Sequence, residues 1–209
     1  MKIYLFRHGE TGWNKGHRLQ GRSDIPLNEF GRELARITAK ALEEVAFDRA
    51  FSSPLERALE TAQIIIGTRD IPVQTDERLM EMNFGSYEGS SYDLPKKDLS
   101  HPLHDFFRKP ESYVPPEGAE SFQEVMERAA SFLQEKILPL EGSCGNVLIA
   151  AHGAFNRCLL GTISQYPMDT FWEISLPNCA ACILSLEKGK FRIEEVGKVY
   201  YGEPVNGRP

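Results

Sequence analysis

Basic side chains follow three apolar segments of this chain, each at the point where the segment ends. KIYLF precedes Arg7 and His8, AFSS leads through a tight turn to Arg57, and NVLIAA precedes His152. Because the carboxyl ends of parallel strands lie along one edge of an open sheet, we expect these side chains to meet in a crevice there. Two guanidiniums offer forked donors that match phosphate oxygens, and a neutral imidazole is a nucleophile toward a bound phosphoryl group. The pattern therefore favours phosphoryl transfer through a phosphohistidine, with the arginines stabilising charge in the transition state.

Such a reaction also needs a carboxyl group. The departing alkoxide requires a proton and water then requires a base, and one carboxyl can serve both steps. Glu81, in ERLMEMNFGSYEG, lies between a predicted strand and a turn containing Gly85, where a loop can reach over the crevice. Glu10 and Glu88 are alternatives of the same residue type. Glu81 is the best candidate by its position, but the residues alone do not exclude the other two.

The elements that must position these groups alternate between strand-like and helix-like segments, which is typical of an α/β domain with a largely parallel sheet. Strands are predicted at KIYLF, AFSS, IPVQT and NVLIAA, and AFNRCLLGTI predicts a helix. Residues 28–46 predict an amphipathic helix with an apolar face formed by Phe30, Leu34, Ile37, Ala41, Leu42 and Val45. The run ACILSLEKGKFRIEEV predicts an antiparallel hairpin at the sheet edge, with its turn at Lys188-Gly189.

One predicted helix has a well-marked start in SPLERALETAQIII. Ser53 is placed as the N-cap and Pro54 at the first helical position, and Glu56 completes a capping box. Because a helix N-terminus carries partial positive charge, we expect the N–H groups after Ser53 and after His152 to add donors to the anion pocket.

The chain of 209 residues is predicted to form a single domain, 1–209. Residues 86–118 mix Pro, Gly, Ser and charge with only short helical patches, which predicts a lid-like insertion that faces the substrate. After the insertion, Ser121 and Glu124 form a second capping box, for a helix that runs to about Leu138.

Composition excludes several classes of partner. A formal net charge of −6 argues against binding to nucleic acid, because such proteins usually gather excess Lys and Arg on one face. No window reaches the roughly 20 apolar residues of a membrane span, and the first apolar run is too short for a signal peptide. We therefore expect a cytoplasmic protein with no membrane partner. These patterns do not predict an oligomeric state.

Other residues with chemical potential are better explained without a catalytic role. Cys179 and Cys182 have the spacing of a redox or metal pair, but no second pair accompanies them, and buried apolar packing is favoured. No His, Cys or carboxylate cluster has metal-ligand spacing. Exposed positions in polar loops are favoured for His17, His101 and His104. Arg108 and Lys109 of the insertion either lie on a solvated lid surface, which is favoured, or meet a distal anion of the substrate. Trp13 is either a pocket wall or a packing residue.

Four separated motifs, RHGETGWN, SSPLERALETA, LMEMNFGSYEG and AAHG, resemble in order and separation those of the histidine phosphatase superfamily, also called the phosphoglycerate mutase-like family. The resemblance spans residues 3 to about 180. It implies a Rossmann-like three-layer sandwich with a mostly parallel central sheet and an antiparallel C-terminal edge strand. It also implies catalysis without a metal or other cofactor.

The resemblance further implies roles for individual residues. His8 is the phosphorylated nucleophile, Glu81 the proton donor, and the phosphoryl group is bound by Arg7, Arg57 and His152. Glu10 is then a structural residue of the motif. Additional positions of the pocket match Asn14, Gln20, Gly21 and Gly153, with Asn14 contacting phosphate.

Within this family, the phosphoryl group goes either to water or back to a sugar acid. Cofactor-dependent mutases resemble longer chains with a paired-arginine insertion, a tyrosine three residues after the acid and an asparagine after the second His-Gly. Here these positions hold Phe84 and Ala154, and the insertion has no Arg-Arg pair. A small-molecule phosphomonoesterase of the broad-specificity branch is therefore expected. The alternatives are a phosphoglycerate mutase, an alpha-ribazole phosphatase of cobalamin synthesis, or a non-catalytic phosphate-binding module.

Overall fold

A computed structural model describes residues 1–202; the end of the predicted domain, residues 203–209, lies outside the described residues. Its sheet has the strand order β3-β2-β4-β1-β5-β6. The strands are β1 Lys2–Arg7, β2 Arg49–Ser52, β3 Val73–Thr75, β4 Asn146–Ala151, β5 Ala181–Glu187 and β6 Lys190–Lys198. The first four in this spatial order pair in parallel, whereas β5 and β6 are antiparallel at one edge. The predicted mostly parallel α/β sheet is confirmed.

The α-helices connect and cover this sheet. They are α1 Gly12–Lys15, α2 Glu29–Ala41, α3 Glu56–Ile66, α4 His104–Arg108, α5 Phe122–Phe132 and α6 Gly153–Ser164. After α5 the chain continues through a π-helical turn, Leu133–Ile137, and a 3-10 turn, Leu138–Leu140. Within residues 1–202, no helix combines the length and the apolar composition needed to cross a membrane.

Side chains on the central strand β4 show how the three layers form. Val147 and Ile149 face a core that includes residues of α5 and α6, such as Phe132 and Phe155. Leu148 lies in a second core on the opposite face, with residues of α3 and the end of α2. Because alternate strand residues point to opposite faces, an unbroken apolar strand needs helices on both sides. The chain therefore forms the predicted three-layer sandwich.

Helix α2 is shorter than predicted and buries a different face. It ends at Ala41, and its buried residues are Gly31, Leu34, Ala35 and Thr38. Phe30 is 49% exposed and Ile37 is 38% exposed, so the predicted apolar face was wrong at these positions. The face is set by the close approach of Gly31 to the chain after β1, where a Cβ on Gly9 would lie 2.7 Å from the Gly31 carbonyl oxygen.

The predicted start of α3 was also wrong. The helix begins at Glu56, and its N-cap Leu55 makes no side-chain cap hydrogen bond. The Glu56 N–H instead donates to Asp24 Oδ1 at 2.7 Å, while among residues 1–202 Ser53 Oγ accepts only from the Leu55 N–H, at 3.3 Å. A carboxylate distant in sequence satisfies the helix terminus, which a local capping motif cannot reveal.

Two other local predictions are confirmed. Ser121 and Glu124 form a complete capping box at the start of α5. Lys188 and Gly189 both have positive φ, as the tight turn between β5 and β6 requires.

The insertion, residues 86–118, is anchored by aromatic packing around Phe106, which is 1% exposed. Its ring stacks on Phe122 at 5.3 Å between centroids and meets Phe84 and Trp172 edge-on at 5.0 and 5.1 Å. The expectation of a surface position was wrong for His104, which is buried with Nδ1 2.8 Å from the Pro95 carbonyl oxygen. Mixed Pro and charge content conceals this small core, because its aromatic residues are scattered through polar sequence.

We predict that Asp24→Ala lowers the free energy of unfolding by about 1 kcal/mol, because it removes the side-chain acceptor at the N-terminus of α3. Ser53→Ala should cost less, since the Ser53 hydroxyl accepts only one long hydrogen bond there. Urea unfolding of the two variants and the wild type measures this. A larger loss of unfolding free energy in Ser53→Ala than in Asp24→Ala would show that the helix is capped by Ser53, as the local motif predicts.

Candidate active site

The ends of β1 and β4 bring two histidines together. Arg7 pairs with Ala151 in the parallel register of these strands, and the His8 N–H donates to the Ala151 carbonyl at 3.0 Å. His8 and His152 follow directly, with ring centroids 5.2 Å apart. The predicted meeting of basic groups at this sheet edge is confirmed for both histidines.

Contacts around His8 define which ring nitrogen can react. Nδ1 lies 2.7 Å from the Gly9 carbonyl oxygen, so Nδ1–H donates there and Nε2 keeps its lone pair. The Gly9 N–H donates to Thr61 Oγ1 at 3.0 Å, which ties this loop to α3. Asn178 adds two hydrogen bonds, donating from Nδ2 to the carbonyls of His8 and Gly9 at 3.0 and 3.1 Å. The imidazole is therefore fixed in the tautomer that leaves Nε2 nucleophilic.

Backbone carbonyls hold the two predicted arginines. Arg57 Nη1 and Nη2 donate to the carbonyls of Ser23 and Gly21, both at 2.8 Å. Arg7 Nη1 donates to the Leu176 carbonyl at 2.7 Å. Carbonyl oxygens orient a guanidinium without cancelling its charge, so the positive potential remains available to an anion.

Several buried nitrogens at this place have no hydrogen-bond partner within residues 1–202. They are Nε of Arg7, Nε of Arg57, and both ring nitrogens of His152. Buried polar groups in folded proteins are normally paired, because an unpaired donor costs about 1 to 3 kcal/mol. A cluster of orphaned donors beside a nucleophilic imidazole is the arrangement expected of a site that binds an oxyanion.

Burial and positive charge shift the pKa values of these groups. Burial lowers the pKa of Arg57 to about 10, partly offset by Glu81, so the guanidinium still carries its charge at neutral pH. Burial lowers the pKa of His8 well below its ordinary value, and the charges of Arg57 and Arg7 lower it further. Burial and then the charge of Arg57 lower the pKa of His152 in the same way. At neutral pH both imidazoles are neutral, as a nucleophile must be.

Glu81 lies in the site and occupies the N-terminus of α6. Its Oε2 accepts from the Ala154 N–H at 3.0 Å, and its Oε1 accepts from the N–H groups of Phe155 and Met82 at 2.9 and 2.8 Å. The prediction that N–H groups after His152 face the anion was therefore wrong for Ala154 and Phe155. The same holds at α3, where Asp24 takes the Glu56 N–H. The positive charge of the site comes from guanidiniums instead.

The additional predicted pocket residues lie around the same loops. Asn14 Oδ1 accepts from the Thr11 N–H at 3.1 Å, which leaves the Asn14 amide nitrogen as a donor. The single proton of the Thr11 hydroxyl is donated to Gln20 Oε1 at 2.7 Å, the shorter of its two contacts with amide oxygens. A Cβ on Gly153 would lie 3.5 Å from Arg7 Nε, so this glycine borders the guanidinium. Gly21 supplies the carbonyl that holds Arg57.

The alternative carboxylates are engaged elsewhere. Glu10 Oε1 accepts from Asn28 Nδ2 at 2.7 Å. Glu88 accepts from backbone N–H groups of the loop that follows Gly21, including that of Ser23 at 2.7 Å. Trp13 lies against Gly89, where a Cβ would be 2.9 Å from its ring, so packing is the better interpretation of this residue.

A third buried arginine was missed in the sequence. Arg157 donates to the carbonyls of Ile174 and Gly153 and lies over the Trp172 ring at 5.0 Å. Burial lowers its pKa to about 10, and the charge of Arg7 lowers it further. The only signal was its position one helical turn after Gly153, which places both on one side of α6.

Cys179 and Cys182 are free and buried, and burial raises the pKa of the Cys179 thiol to about 12. In the described part of the chain, no three or more His, Cys, Asp or Glu residues are grouped so that they could hold a metal ion.

Comparison with known proteins identifies the class. The family model of the histidine phosphatase superfamily (branch 1) matches residues 3–198. This chain belongs to that superfamily, and the expected resemblance and fold are confirmed.

Individual relatives are similar over nearly the whole chain. The solved structure of YhfR from Bacillus stearothermophilus has 35% sequence identity and a TM-score of 0.87, covering 95% of this chain and 97% of that chain. Alpha-ribazole phosphatase from Shigella flexneri has 26% identity and a TM-score of 0.82, covering 95% and 96%. A 2,3-bisphosphoglycerate-dependent phosphoglycerate mutase from Streptococcus equi subsp. zooepidemicus is 32% identical, covering 85% of this chain and 90% of the mutase. Phosphatases and mutases are thus both among its relatives.

The buried neutral histidines predict a dependence of stability on pH. His8 and His152 titrate well below the unfolded value of about 6.5, so the unfolded chain binds more protons below that pH. Their contribution to stability is complete above about pH 6.5 and is lost as the pH falls toward the folded pKa values. From pH 7 to 5.5, each histidine should contribute about 1 kcal/mol of lost stability.

His152→Gln should therefore reduce the difference in unfolding free energy between pH 7 and 5.5 by about 1 kcal/mol, as measured by urea titration at each pH. His17→Gln, a change at an exposed residue, is the control. An unchanged pH slope in His152→Gln would contradict the prediction.

Proposed function

We propose that this protein is a phosphomonoesterase that hydrolyses small-molecule phosphate esters through a phosphohistidine at His8. The observation that carries the proposal is the buried neutral His8 imidazole, with Nε2 free, among orphaned donors of Arg7, Arg57 and His152. The net positive charge of this pocket suits a phosphoryl dianion in a chain whose overall charge is −6. Membership of the superfamily supports the same chemistry.

In the first proposed step, His8 Nε2 attacks phosphorus and the bond from phosphorus to the ester oxygen breaks. Arg7, Arg57, His152 and the Asn14 amide donate to the non-bridging oxygens, where negative charge is spread in the transition state. The arrangement requires no reorientation of these donors, because backbone carbonyls already hold both guanidiniums.

Glu81 supplies the proton to the departing alkoxide. A carboxylate has about four lone-pair positions, and three of those on Glu81 accept backbone N–H groups: two on Oε1 and one on Oε2. The remaining lone pair is on Oε2, so we assign the transferred proton to that atom. In the second step Glu81 takes a proton from water, whose oxygen attacks the phosphohistidine and releases inorganic phosphate and neutral His8.

Hydrolysis is favoured over return of the phosphoryl group to a sugar acid by the residues around the pocket. Phe84 is buried and packs edge-on against Phe106 of the insertion, so it offers no hydroxyl to a bound acid. Ala154 offers only a methyl group, and its N–H is bound to Glu81. Because neither side chain donates a hydrogen bond to an acceptor carboxylate, the site discriminates weakly in favour of a sugar acid, and water then competes.

We further propose that the insertion, residues 86–118, is a lid that receives the leaving group. Tyr92 of this segment is close enough to the site for the charge of Arg7 to oppose the rise in its pKa that burial causes. Arg108 is exposed, and its Nε donates to the Lys96 carbonyl at 3.0 Å, which supports a role in holding the lid rather than in gripping a second anion. We place the enzyme in the cytoplasm, as its free thiols suggest.

Two narrower functions remain as competing candidates. Phosphoglycerate mutase is favoured by the curated relative of 32% identity, and alpha-ribazole phosphatase by a solved structure of 26% identity. A panel of phosphomonoesters assayed for released phosphate separates these from a broad phosphatase and from a phosphate-binding module without activity.

We predict that rapid quench with a phosphorus-labelled ester traps an acid-labile, base-stable adduct on the wild-type protein. His8→Ala should give no adduct and should lower kcat by at least about 10³-fold, since it removes the nucleophile. Chelator added to both reactions should leave these results unchanged. Retention of the label by His8→Ala would show that another residue is the nucleophile.

We also predict that hydrolysis of an aryl phosphate exceeds interconversion of 2- and 3-phosphoglycerate, because Phe84 and Ala154 offer no side-chain donor to the acceptor carboxylate. Both rates should be measured on one preparation, with and without 2,3-bisphosphoglycerate. A primed mutase rate about a hundredfold above hydrolysis would make this protein a mutase.

A further inference from the structure

The orientation of the Arg57 guanidinium depends on one short loop, Gly21–Ser23. Its two terminal nitrogens donate to the carbonyls of Gly21 and Ser23, both at 2.8 Å, while its buried Nε has no partner in the described part of the chain. No carboxylate within residues 1–202 forms an ion pair with Arg57 at 4.0 Å or less. The direction of Nε is therefore set by where these carbonyl oxygens lie.

Glu88 holds the opposite side of the same loop. Its Oε1 accepts from the Arg22 N–H at 2.8 Å and from the Phe84 N–H at 3.3 Å. Its Oε2 accepts from the N–H and the hydroxyl of Ser23, at 2.7 and 2.5 Å. Phe84 lies three residues after Glu81, so the same carboxylate also binds the irregular segment that follows the proposed acid.

One peptide group connects the two charges directly. The carbonyl of Gly21 and the N–H of Arg22 belong to the same planar peptide unit, whose C=O and N–H point in opposite directions. The oxygen end contacts the Arg57 guanidinium and the N–H end contacts the Glu88 carboxylate. This peptide dipole is aligned with both charges, and each hydrogen bond polarises the other. The charge of Glu88 also acts to raise the pKa of Arg57.

Gly21 is the residue that permits this contact. A Cβ at this position would collide with the Glu88 carboxylate and would lie 2.8 Å from the Met82 carbonyl oxygen. The absence of a side chain on Gly21 thus lets the Glu88 carboxylate reach the loop backbone. The family resemblance assigns no role to this contact between Glu88 and the loop.

We infer that Glu88 is a positioning residue, which directs Arg57 Nε at the transferred phosphoryl group through the Gly21–Ser23 loop. The inference rests on the proposed function, since Arg57 is taken to bind that group. A positioning role differs from a purely structural one in a testable way: the effect of Glu88 on catalysis must depend on the presence of the Arg57 guanidinium.

The test combines Glu88→Gln and Arg57→Ala in a double-mutant cycle. Glu88→Gln keeps the shape but turns one acceptor oxygen into an N–H donor that faces backbone N–H groups, and losing a hydrogen bond to a charged group is worth about ten- to a hundredfold. We expect kcat on an aryl phosphate to fall about tenfold, with KM changing by less than about threefold, because Arg57 acts mainly in the transition state. Inhibition by vanadate, which resembles the five-coordinate phosphorus, should weaken by a similar factor.

In the Arg57→Ala background, Glu88→Gln should lower kcat by less than about twofold, since the group it positions is already gone. If the fold-losses of kcat in the two single variants multiply in the double variant, the inference is overturned. Wild-type kcat in Glu88→Gln would overturn it as well.

Glu124→Gln is the matched control. Glu124 Oε2 also accepts from the N–H and the hydroxyl of a serine, Ser121, at 2.7 and 2.8 Å, but at the start of α5. This variant should lose comparable stability in urea unfolding while its kcat stays within about twofold of wild type. A tenfold fall of kcat in Glu124→Gln would show that loss of stability alone explains the effect of Glu88→Gln.

Failure of the proposed function is distinguished by calorimetry with inorganic phosphate. If the wild type binds phosphate but hydrolyses no ester, the phosphomonoesterase proposal fails. In that case calorimetry with vanadate, the transition-state probe, tests the positioning role. Weaker vanadate binding in Glu88→Gln, with no further weakening when this change is added to Arg57→Ala, would support the role. Unchanged vanadate affinity in Glu88→Gln, together with weaker vanadate binding in Arg57→Ala, would overturn it.

Discussion

Backbone carbonyl oxygens hold the buried guanidiniums of this protein, and the rest of the site depends on that choice of partner. Arg57 is held by two carbonyls, Arg7 by one, and Arg157 by those of Ile174 and Gly153. A carboxylate partner would satisfy an arginine more strongly but would cancel its charge. Carbonyls fix the direction and leave the charge, so desolvated positive potential accumulates where β1, β4 and α3 meet.

That potential explains the state of the neighbouring groups. The histidines are neutral because burial and adjacent cations both oppose a further positive charge. Between the two proposed steps Glu81 is ionised and balances this potential, and its charge acts to raise the pKa of both Arg7 and Arg57. Helix α6 begins directly after His152, and its first N–H groups donate to the Glu81 carboxylate. These hydrogen bonds keep Glu81 beside the site.

The strands and the meeting of His8, Arg7, Arg57 and His152 could be predicted because they depend on local apolar runs and on one topological rule. The start of α3 could not, since Asp24 is distant in sequence and its carboxylate displaces the local motif at Ser53. Phe30 and Ile37 of α2 are exposed because the close approach of Gly31 to Gly9 sets the buried face of this helix. Helical periodicity in the sequence does not reveal that contact. Arg157 and Asn178 were missed because neither follows the end of a predicted strand, and their backbone-carbonyl partners leave no trace in the pattern of side chains.

The orphaned Nε groups of Arg7 and Arg57 have a kinetic consequence for the proposed reaction. Guanidiniums recognise the non-bridging oxygens that an ester and free orthophosphate share, so the pocket cannot tell its substrate from its product by these contacts. Only residues that bind the leaving group can then distinguish the ester from free orthophosphate. In the proposed reaction orthophosphate would be a competitive inhibitor, and its departure from the desolvated cationic groups would set an upper limit on turnover. The activity of such an enzyme would follow the phosphate concentration around it as well as the supply of ester.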